Sequence, residues 1–129
     1  MSVKKIIESE KAPKAIGPYS VANQFDSLIF TAGQLGLDPA KGELVEGGIE
    51  AETRQALINI KHVLDAAGSS MECILKTTVF LRDMSDFAKM NAVYANFFTA
   101  AFPARSTVQV AALPKNGAVE IEVIAYRPE

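Results

Sequence analysis

The hydrophobic and polar positions along the chain follow a helical period in two places, and these predict two helices. In the first, small or apolar residues recur at helical spacing from Ile49 to Ala67, and Gly68 supplies a stop after them. The second follows the start signal from Asp83 to Asp86 and ends before Pro103. Its apolar stripe consists of Phe87, Met90, Tyr94, Phe97 and Phe98.

Shorter segments rich in β-branched residues predict strands. Two of them, Val21–Phe25 and Leu28–Ala32, flank the pair Asp26 and Ser27 and are typical of a tight hairpin. We expect the segment from Gly33 to Gly48, which is rich in Gly and Pro, to be a loop. The other predicted strands are Lys4–Ile7, Ile74–Leu81, Arg105–Val110 and Ala118–Arg127.

The resulting order of elements, β-β-β-α-β-α-β-β, predicts an α+β fold. Both helices are expected to cover one face of a single sheet of about six strands, which leaves the other face without a cover. We expect residues 1–129 to form one domain, because a chain of 129 residues is enough for one core and too short for two.

Alternation along the last predicted strand gives its two faces different characters. One face is apolar and suits a core covered by helices; it consists of Val119, Ile121, Val123 and Ala125. The other face mixes Glu120 and Glu122 with apolar residues, so it is too polar for a core and too apolar for open solvent. We therefore expect a partner subunit to cover it.

The residues best suited to chemistry are Arg105 and this acidic pair. We expect a hairpin about Pro114–Gly117 to bring Arg105 and Thr107 beside the two acids, in a register that the sequence does not fix. The guanidinium can bind a small carboxylate through two hydrogen bonds, or it can form a structural ion pair with Glu120 or Glu122. Repulsion and partial burial can raise the pKa of one acid and suit it to proton transfer, or both acids can lie on a solvated face.

Composition and charge narrow the classes of function. Hydrophobic residues make up 49% and charged residues 22% of the chain, which is typical of soluble globular proteins. No apolar run approaches the roughly 20 residues that cross a bilayer, and residues 1–13 lack the features of a secretory signal, so we expect a cytoplasmic location. A formal charge of −2 disfavours nucleic acid as a partner. One Cys and one His exclude an internal disulfide and the common zinc sites.

Four motifs run in order through the chain: Ala15–Ser20, Thr31–Gln34, Val79–Asn91 and Pro103–Glu122. The last reads PARSTVQVAALPKNGAVEIE and is too long and ordered for chance to explain its pattern. Together the motifs resemble the YjgF/RidA family, which is also called the reactive-intermediate deaminases or the L-PSP ribonuclease family. The resemblance spans essentially the entire chain.

The resemblance implies a chorismate-mutase-like α+β fold with a mixed sheet, and a homotrimer that holds its sites between neighbouring subunits. It implies a 2-iminobutanoate/2-iminopropanoate deaminase, a hydrolase that needs no cofactor or metal. The substrates would be 2-aminoacrylate and 2-aminocrotonate, which tautomerise to imines. The products would be 2-oxo acids and ammonia.

The resemblance also implies roles for particular residues. Arg105 would bind the substrate carboxylate, and Glu120 would position and deprotonate the attacking water, with Glu122 as the reserve candidate. The rest of the pocket would consist of Tyr19, Gly33, Phe87, Asn91 and the backbone of Thr107. Many relatives have Cys and Ser where this chain has Thr107 and Ala32. If either side chain contacts the substrate, the preference or the rate shifts.

Two other functions fit the same residues. One is a regulatory protein that binds 2-oxo acids or other small carboxylates without turning them over. Arg105 fits both ideas equally, but Glu120 favours the enzyme, because a second carboxylate weakens simple anion binding. The other is an endoribonuclease or translation inhibitor, and the acidic balance and the lack of a basic aromatic stripe disfavour it.

Overall fold

The structure is a computed structural model that describes residues 3–129. The helices are α1 (Gly48–Ala66) and α2 (Phe87–Ala95). The strands are β1 (Lys5–Ile7), β2 (Ala22–Phe25), β3 (Leu28–Thr31), β4 (Gln34–Leu35), β5 (Leu37–Asp38), β6 (Glu43–Leu44), β7 (Ile74–Leu81), β8 (Ala104–Gln109) and β9 (Val119–Tyr126). Met1 and Ser2, which begin the segment searched for a signal, lie outside the described residues.

The strands form one mixed sheet and one small hairpin. The sheet runs in the order β1-β2-β3-β9-β7-β8, and β4 also pairs with β9. Strands β7 and β8 are parallel, and the other pairs are antiparallel. Strands β5 and β6 pair only with each other in the part of the chain that the structure describes. Both helices pack on one face of the sheet, which confirms the predicted α+β fold.

The core lies between the helices and the apolar face of β9. Val119 and Ile121 of β9 are fully buried, as are Leu57 and Ile60 of α1. The prediction of which face of the last strand meets the helices is therefore confirmed. The predicted stop after α1 is also confirmed, because Gly68 follows the helix with a φ of 77°, in the left-handed region that favours glycine.

The prediction of an unbroken loop from Gly33 to Gly48 is wrong. Three strands of two residues each, β4, β5 and β6, lie within it, so the strands number more than the six or so predicted. Strands this short show no alternation that a sequence pattern could reveal. Pairing of β4 with β9 places Leu35 opposite Glu120 and so brings the chain after Gly33 beside that acid.

The predicted hairpin about Pro114–Gly117 is also wrong. Strand β7 lies between β8 and β9, pairing in parallel with the first and antiparallel with the second. The segment 110–118 therefore crosses from the edge of the sheet to its centre, through a 3-10 turn at Pro114–Asn116 in which Lys115 and Asn116 have positive φ. Because β7 and β9 are both eight residues long and rich in apolar positions, their pairing buries more than a β8–β9 hairpin could.

Helix α2 is shorter than its apolar stripe. It follows a 3-10 turn at Met84–Asp86, where the Asp83 carboxylate accepts a hydrogen bond of 2.9 Å from the Ser85 N–H. Hydrogen bonds from Ser85 lower the pKa of Asp83. The helix ends at Ala95, yet Phe98 beyond it remains buried. Within residues 3–129, neither helix is long and apolar enough to span a bilayer.

Candidate active site

Arg105 lies on the face of the sheet that the helices cover. It is in register with Thr77 of β7, whose side chain is fully buried on that face. Neighbouring residues in register share a face of a sheet. The guanidinium accordingly lies over two rings of α2, with carbon Cζ 5.5 Å from the ring centroid of Phe87 and 4.7 Å from that of Tyr94.

The guanidinium fork of Arg105 is open to a ligand. Among residues 3–129 the one ion pair is that between Lys61 and Asp65 of α1. Arg105 therefore forms no ion pair with either acid of β9. A structural ion pair within one chain, the alternative considered from the sequence, is therefore wrong. The space around the fork, the Arg105 cleft, has a volume of about 480 Å³ and is lined by Asn91, Tyr94, Ala95, Phe102, Pro103 and Arg105.

Glu120 lies on the opposite face of the sheet, which neither α1 nor α2 covers. Its neighbours along β9, Val119 and Ile121, point to the helices and are fully buried. Since successive side chains of a strand point to opposite faces, the Glu120 carboxylate points away from α1 and α2. It lines a cavity of about 160 Å³, the Glu120 pocket, whose walls include Tyr19, Gly33, Gln34, Leu35, Lys115 and Glu120.

The surroundings of Glu120 favour its protonated form. Phe80 and Leu35 flank it in register on the neighbouring strands. Partial burial raises the pKa of the Glu120 carboxyl, and the negative charge of Glu122 on the same face raises it further. A carboxylate with a raised pKa is a better proton acceptor than an ordinary one, so Glu120 is suited to general base catalysis.

Gly33 allows this carboxylate to sit where it does. A Cβ atom at position 33 would lie 2.6 Å from Cδ of Glu120 and 2.9 Å from its Oε1, which is closer than such atoms approach one another. Any side chain there would displace the acid from the wall of its pocket. The backbone at Gly33 therefore lies directly against the Glu120 carboxyl group.

The predicted site residues are divided between two places. One set lies on the helix-covered side of the sheet and consists of Phe87, Asn91, Arg105 and Thr107. The other set lines the Glu120 pocket and consists of Tyr19, Gly33 and Glu120. The expectation that one chain brings Arg105 beside Glu120 is wrong, because the two side chains point to opposite faces and line different cavities.

Sequence reasoning placed Tyr94 in the core and missed its contact with the guanidinium. A signal was available: Tyr94 follows Phe87 by seven positions, so both rings lie on one face of α2. Burial raises the pKa of the Tyr94 phenol, which therefore stays neutral.

Thr107, on the same side of the sheet, has a buried hydroxyl oxygen with no hydrogen-bond partner within residues 3–129.

Removing the negative charge of Glu122 is expected to lower the pKa of Glu120. In Glu122→Gln the repulsion that opposes ionisation of Glu120 is gone, while the burial that also opposes it remains. An NMR titration of the Glu120 carboxyl carbon measures this directly. Glu43→Gln, which removes an exposed acid of β6, is the control and leaves that pKa in place. An unmoved Glu120 pKa in Glu122→Gln would show that the two acids do not interact.

Comparison with known proteins shows relatives along the whole chain. The family model described as endoribonuclease L-PSP matches residues 9–127. A 2-iminobutanoate/2-iminopropanoate deaminase from Bos taurus is 54% identical over 125 residues, which cover 97% of this chain and 91% of the relative. A RutC family protein from Pyrococcus horikoshii is 52% identical over 125 residues, covering 97% of this chain and 99% of that protein.

Solved structures agree with the sequence relatives. The crystal structure of TdcF from E. coli with bound serine superposes with a TM-score of 0.92 at 46% identity, and the match covers 96% of this chain and 99% of that one. Both the sequence match and the fold therefore extend over nearly the full length. The chain belongs to the endoribonuclease L-PSP family, the YjgF/RidA family that its motifs resemble.

Proposed function

We propose that this protein hydrolyses 2-imino acids, among them 2-iminobutanoate and 2-iminopropanoate, to 2-oxo acids and ammonia. The observation that carries the proposal is the partly buried Glu120 carboxylate with its raised pKa, in a chain 54% identical to the bovine deaminase. Such a group is suited to accept a proton from water. The open fork of Arg105 supplies the other requirement, a binding group for the carboxylate of an imino acid.

The site is assembled between two subunits of a homotrimer in this proposal. Arg105 lies on β8, which is an edge strand of the sheet, while Glu120 lies on the face that neither α1 nor α2 covers. That face also exposes Phe30 and Tyr126, by 44% and 38% of their surfaces, which favours its burial by a neighbour. If the edge of one subunit packs beside the open face of the next, the two halves of the site meet.

The chemistry then follows from the groups on each side. The substrate carboxylate binds the Arg105 fork, and the imine carbon faces Glu120 of the neighbouring subunit. Glu120 accepts a proton from a water molecule as the water oxygen forms a bond to the imine carbon, and it passes that proton to the imine nitrogen, which gives a neutral carbinolamine. Glu120 then accepts the hydroxyl proton of the carbinolamine and delivers it to nitrogen as the C–N bond breaks, so the hydroxyl oxygen becomes the carbonyl oxygen of the 2-oxo acid. Ammonia leaves, and the carboxylate is regenerated.

An assay with freshly generated substrate tests the activity. A serine dehydratase releases 2-aminoacrylate, and semicarbazide traps the imine that has not yet been hydrolysed. Addition of the purified protein is expected to lower the trapped fraction and to speed the release of ammonia and pyruvate. An unchanged trapped fraction at equal dehydratase activity would reject the deaminase.

A second candidate is a protein that binds small carboxylates without catalysis. The solved relative TdcF holds serine, an amino acid with the carboxylate that the Arg105 fork would recognise here. Binding alone would give no role to the acid in the Glu120 pocket, because its charge opposes an anion placed beside it. This function would be favoured if pyruvate bound tightly to a protein that left the trapped fraction unchanged.

A further inference from the structure

The guanidinium of Arg105 forms no ion pair and no side-chain hydrogen bond with residues 3–129. Its close neighbours are the faces of aromatic rings. An arginine side chain has several rotatable bonds, so a free one samples many positions. The nearer ring, that of Tyr94 at 4.7 Å from Cζ, is within the range in which a cation is attracted to an aromatic face.

The ring of Tyr94 is itself fixed by the strand beside Arg105. The Tyr94 hydroxyl and the Thr77 Oγ1 are 2.8 Å apart in a buried hydrogen bond. Thr77 is the residue of β7 in register with Arg105. The phenol therefore bridges from α2 to the position next to the arginine, and Phe98 packs on the ring at a centroid distance of 4.9 Å.

We propose that Tyr94 is a positioning residue for Arg105, with Thr77 setting the orientation of its ring. This inference rests on the proposed function, in which Arg105 binds the substrate carboxylate. The Tyr94 ring, oriented by Thr77, is a platform that holds the fork in a binding geometry before the ligand arrives, so less conformational freedom is lost on binding. Because Tyr94 is neutral and its hydroxyl is occupied by Thr77, it takes no part in proton transfer.

Tyr94→Leu tests the platform. It removes the ring but keeps an apolar side chain, and we expect it to weaken pyruvate binding about tenfold, the scale of a partly desolvated cation–π contact. The maximal rate of imine hydrolysis should stay within about twofold of wild type, because the Glu120 side of the site is untouched. The acidic limb of the pH–rate profile, which reports Glu120, should not move.

Two conservative variants isolate the orienting hydrogen bond. Tyr94→Phe keeps the ring and removes the hydroxyl, whereas Thr77→Val keeps the shape of Thr77 and removes its hydroxyl. Each should weaken pyruvate binding less than Tyr94→Leu. The double variant should be no weaker than the worse single one, since both remove the same bond. Tyr94→Phe and Thr77→Val are each expected to fold even if Tyr94→Leu does not, because each keeps the packing volume of the original side chain.

Met90→Ala is the matched control for loss of packing. Met90 is fully buried on α2, one turn before Tyr94. Met90→Ala should lower the free energy of unfolding, as we also expect of Tyr94→Leu, but it should leave the dissociation constant for pyruvate unchanged. The positioning role is overturned if binding weakens equally in Met90→Ala and Tyr94→Leu, or if Tyr94→Leu, Tyr94→Phe and Thr77→Val all bind pyruvate like wild type.

Arg105→Ala separates failure of this inference from failure of the proposed function. If Arg105→Ala weakens pyruvate binding and the Tyr94 and Thr77 variants do not, only the platform is rejected. If Arg105→Ala also binds pyruvate normally, the fork does not hold the carboxylate, and the proposed function loses its binding group.

Discussion

Glu120→Gln is expected to reduce imine hydrolysis about a thousandfold, in the range lost with a general base, while pyruvate binding stays close to wild type. Glutamine keeps the size of the side chain and its fit against Gly33, where a Cβ would lie only 2.6 Å from Cδ of Glu120. It cannot accept a proton from water. In the proposed site the neighbouring subunit's Arg105 fork binds the carboxylate, and loss of the negative charge of Glu120 does not weaken that contact.

The same substitution should not destabilise the fold. The pKa of Glu120 is raised in the folded state, so protonation stabilises that state, fully below the unfolded pKa and progressively less as pH rises through the folded pKa. Above the folded-state pKa the ionised carboxylate opposes folding, and glutamine does not. Chemical denaturation at pH 7 should therefore show unfolding free energy equal to or above that of wild type. Near-normal turnover in Glu120→Gln would assign the proton transfer to another group.

Arg105→Ala is expected to weaken pyruvate binding about a hundredfold, the effect of losing a charge-assisted pair of hydrogen bonds to the carboxylate. The affinity of Arg105→Lys for pyruvate should lie between those of wild type and Arg105→Ala, because lysine keeps the charge but neither the planar fork nor the stacking on Tyr94. Isothermal titration with pyruvate and 2-oxobutanoate measures both variants.

A distant charge separates a specific fork from general electrostatic attraction. Lys61→Ala removes one positive charge from α1 and breaks only the surface ion pair with Asp65, which contributes little to stability. Its affinity for pyruvate should match wild type. If Lys61→Ala and Arg105→Ala lose affinity equally, net charge rather than Arg105 explains the binding.

Much of the fold could be predicted from periodicity, because the core imposes it. The apolar side chains of α1 pack against the apolar face of β9 in one core. The helical period of α1 and the alternation of β9 are therefore both strong in the sequence. Strands β4, β5 and β6 were not predicted, because each is only two residues long. Their positions depend on pairing with distant residues, such as Leu35 with Glu120, which no local pattern encodes.

The site was harder to predict than the fold, since it depends on strand order. The sequence indicated that Arg105 and Glu120 carry chemistry, but adjacency in the chain suggested that their strands pair. The parallel pairing of β7 with β8 places the arginine at the sheet edge and on the helix-covered face. The Tyr94 platform likewise depends on α2 crossing over β7 and β8, a tertiary contact rather than a motif.

The division of the site between two faces makes a prediction about assembly. If each site takes Arg105 from one subunit and Glu120 from its neighbour, a trimer that mixes Arg105→Ala and Glu120→Gln subunits contains one intact site. Random reassociation of equal amounts makes about three quarters of the trimers mixed, so about a quarter of wild-type activity should return. Mixing Arg105→Ala with the double variant Arg105→Ala/Glu120→Gln restores nothing and is the control.

The most direct measurement is the hydrolysis rate after the two inactive single variants have been unfolded together and refolded, with native mass spectrometry to count mixed assemblies. A site shared between subunits predicts recovery to about a quarter of the wild-type rate, in proportion to the mixed trimers. Mixed trimers that form in quantity and remain inactive would contradict it.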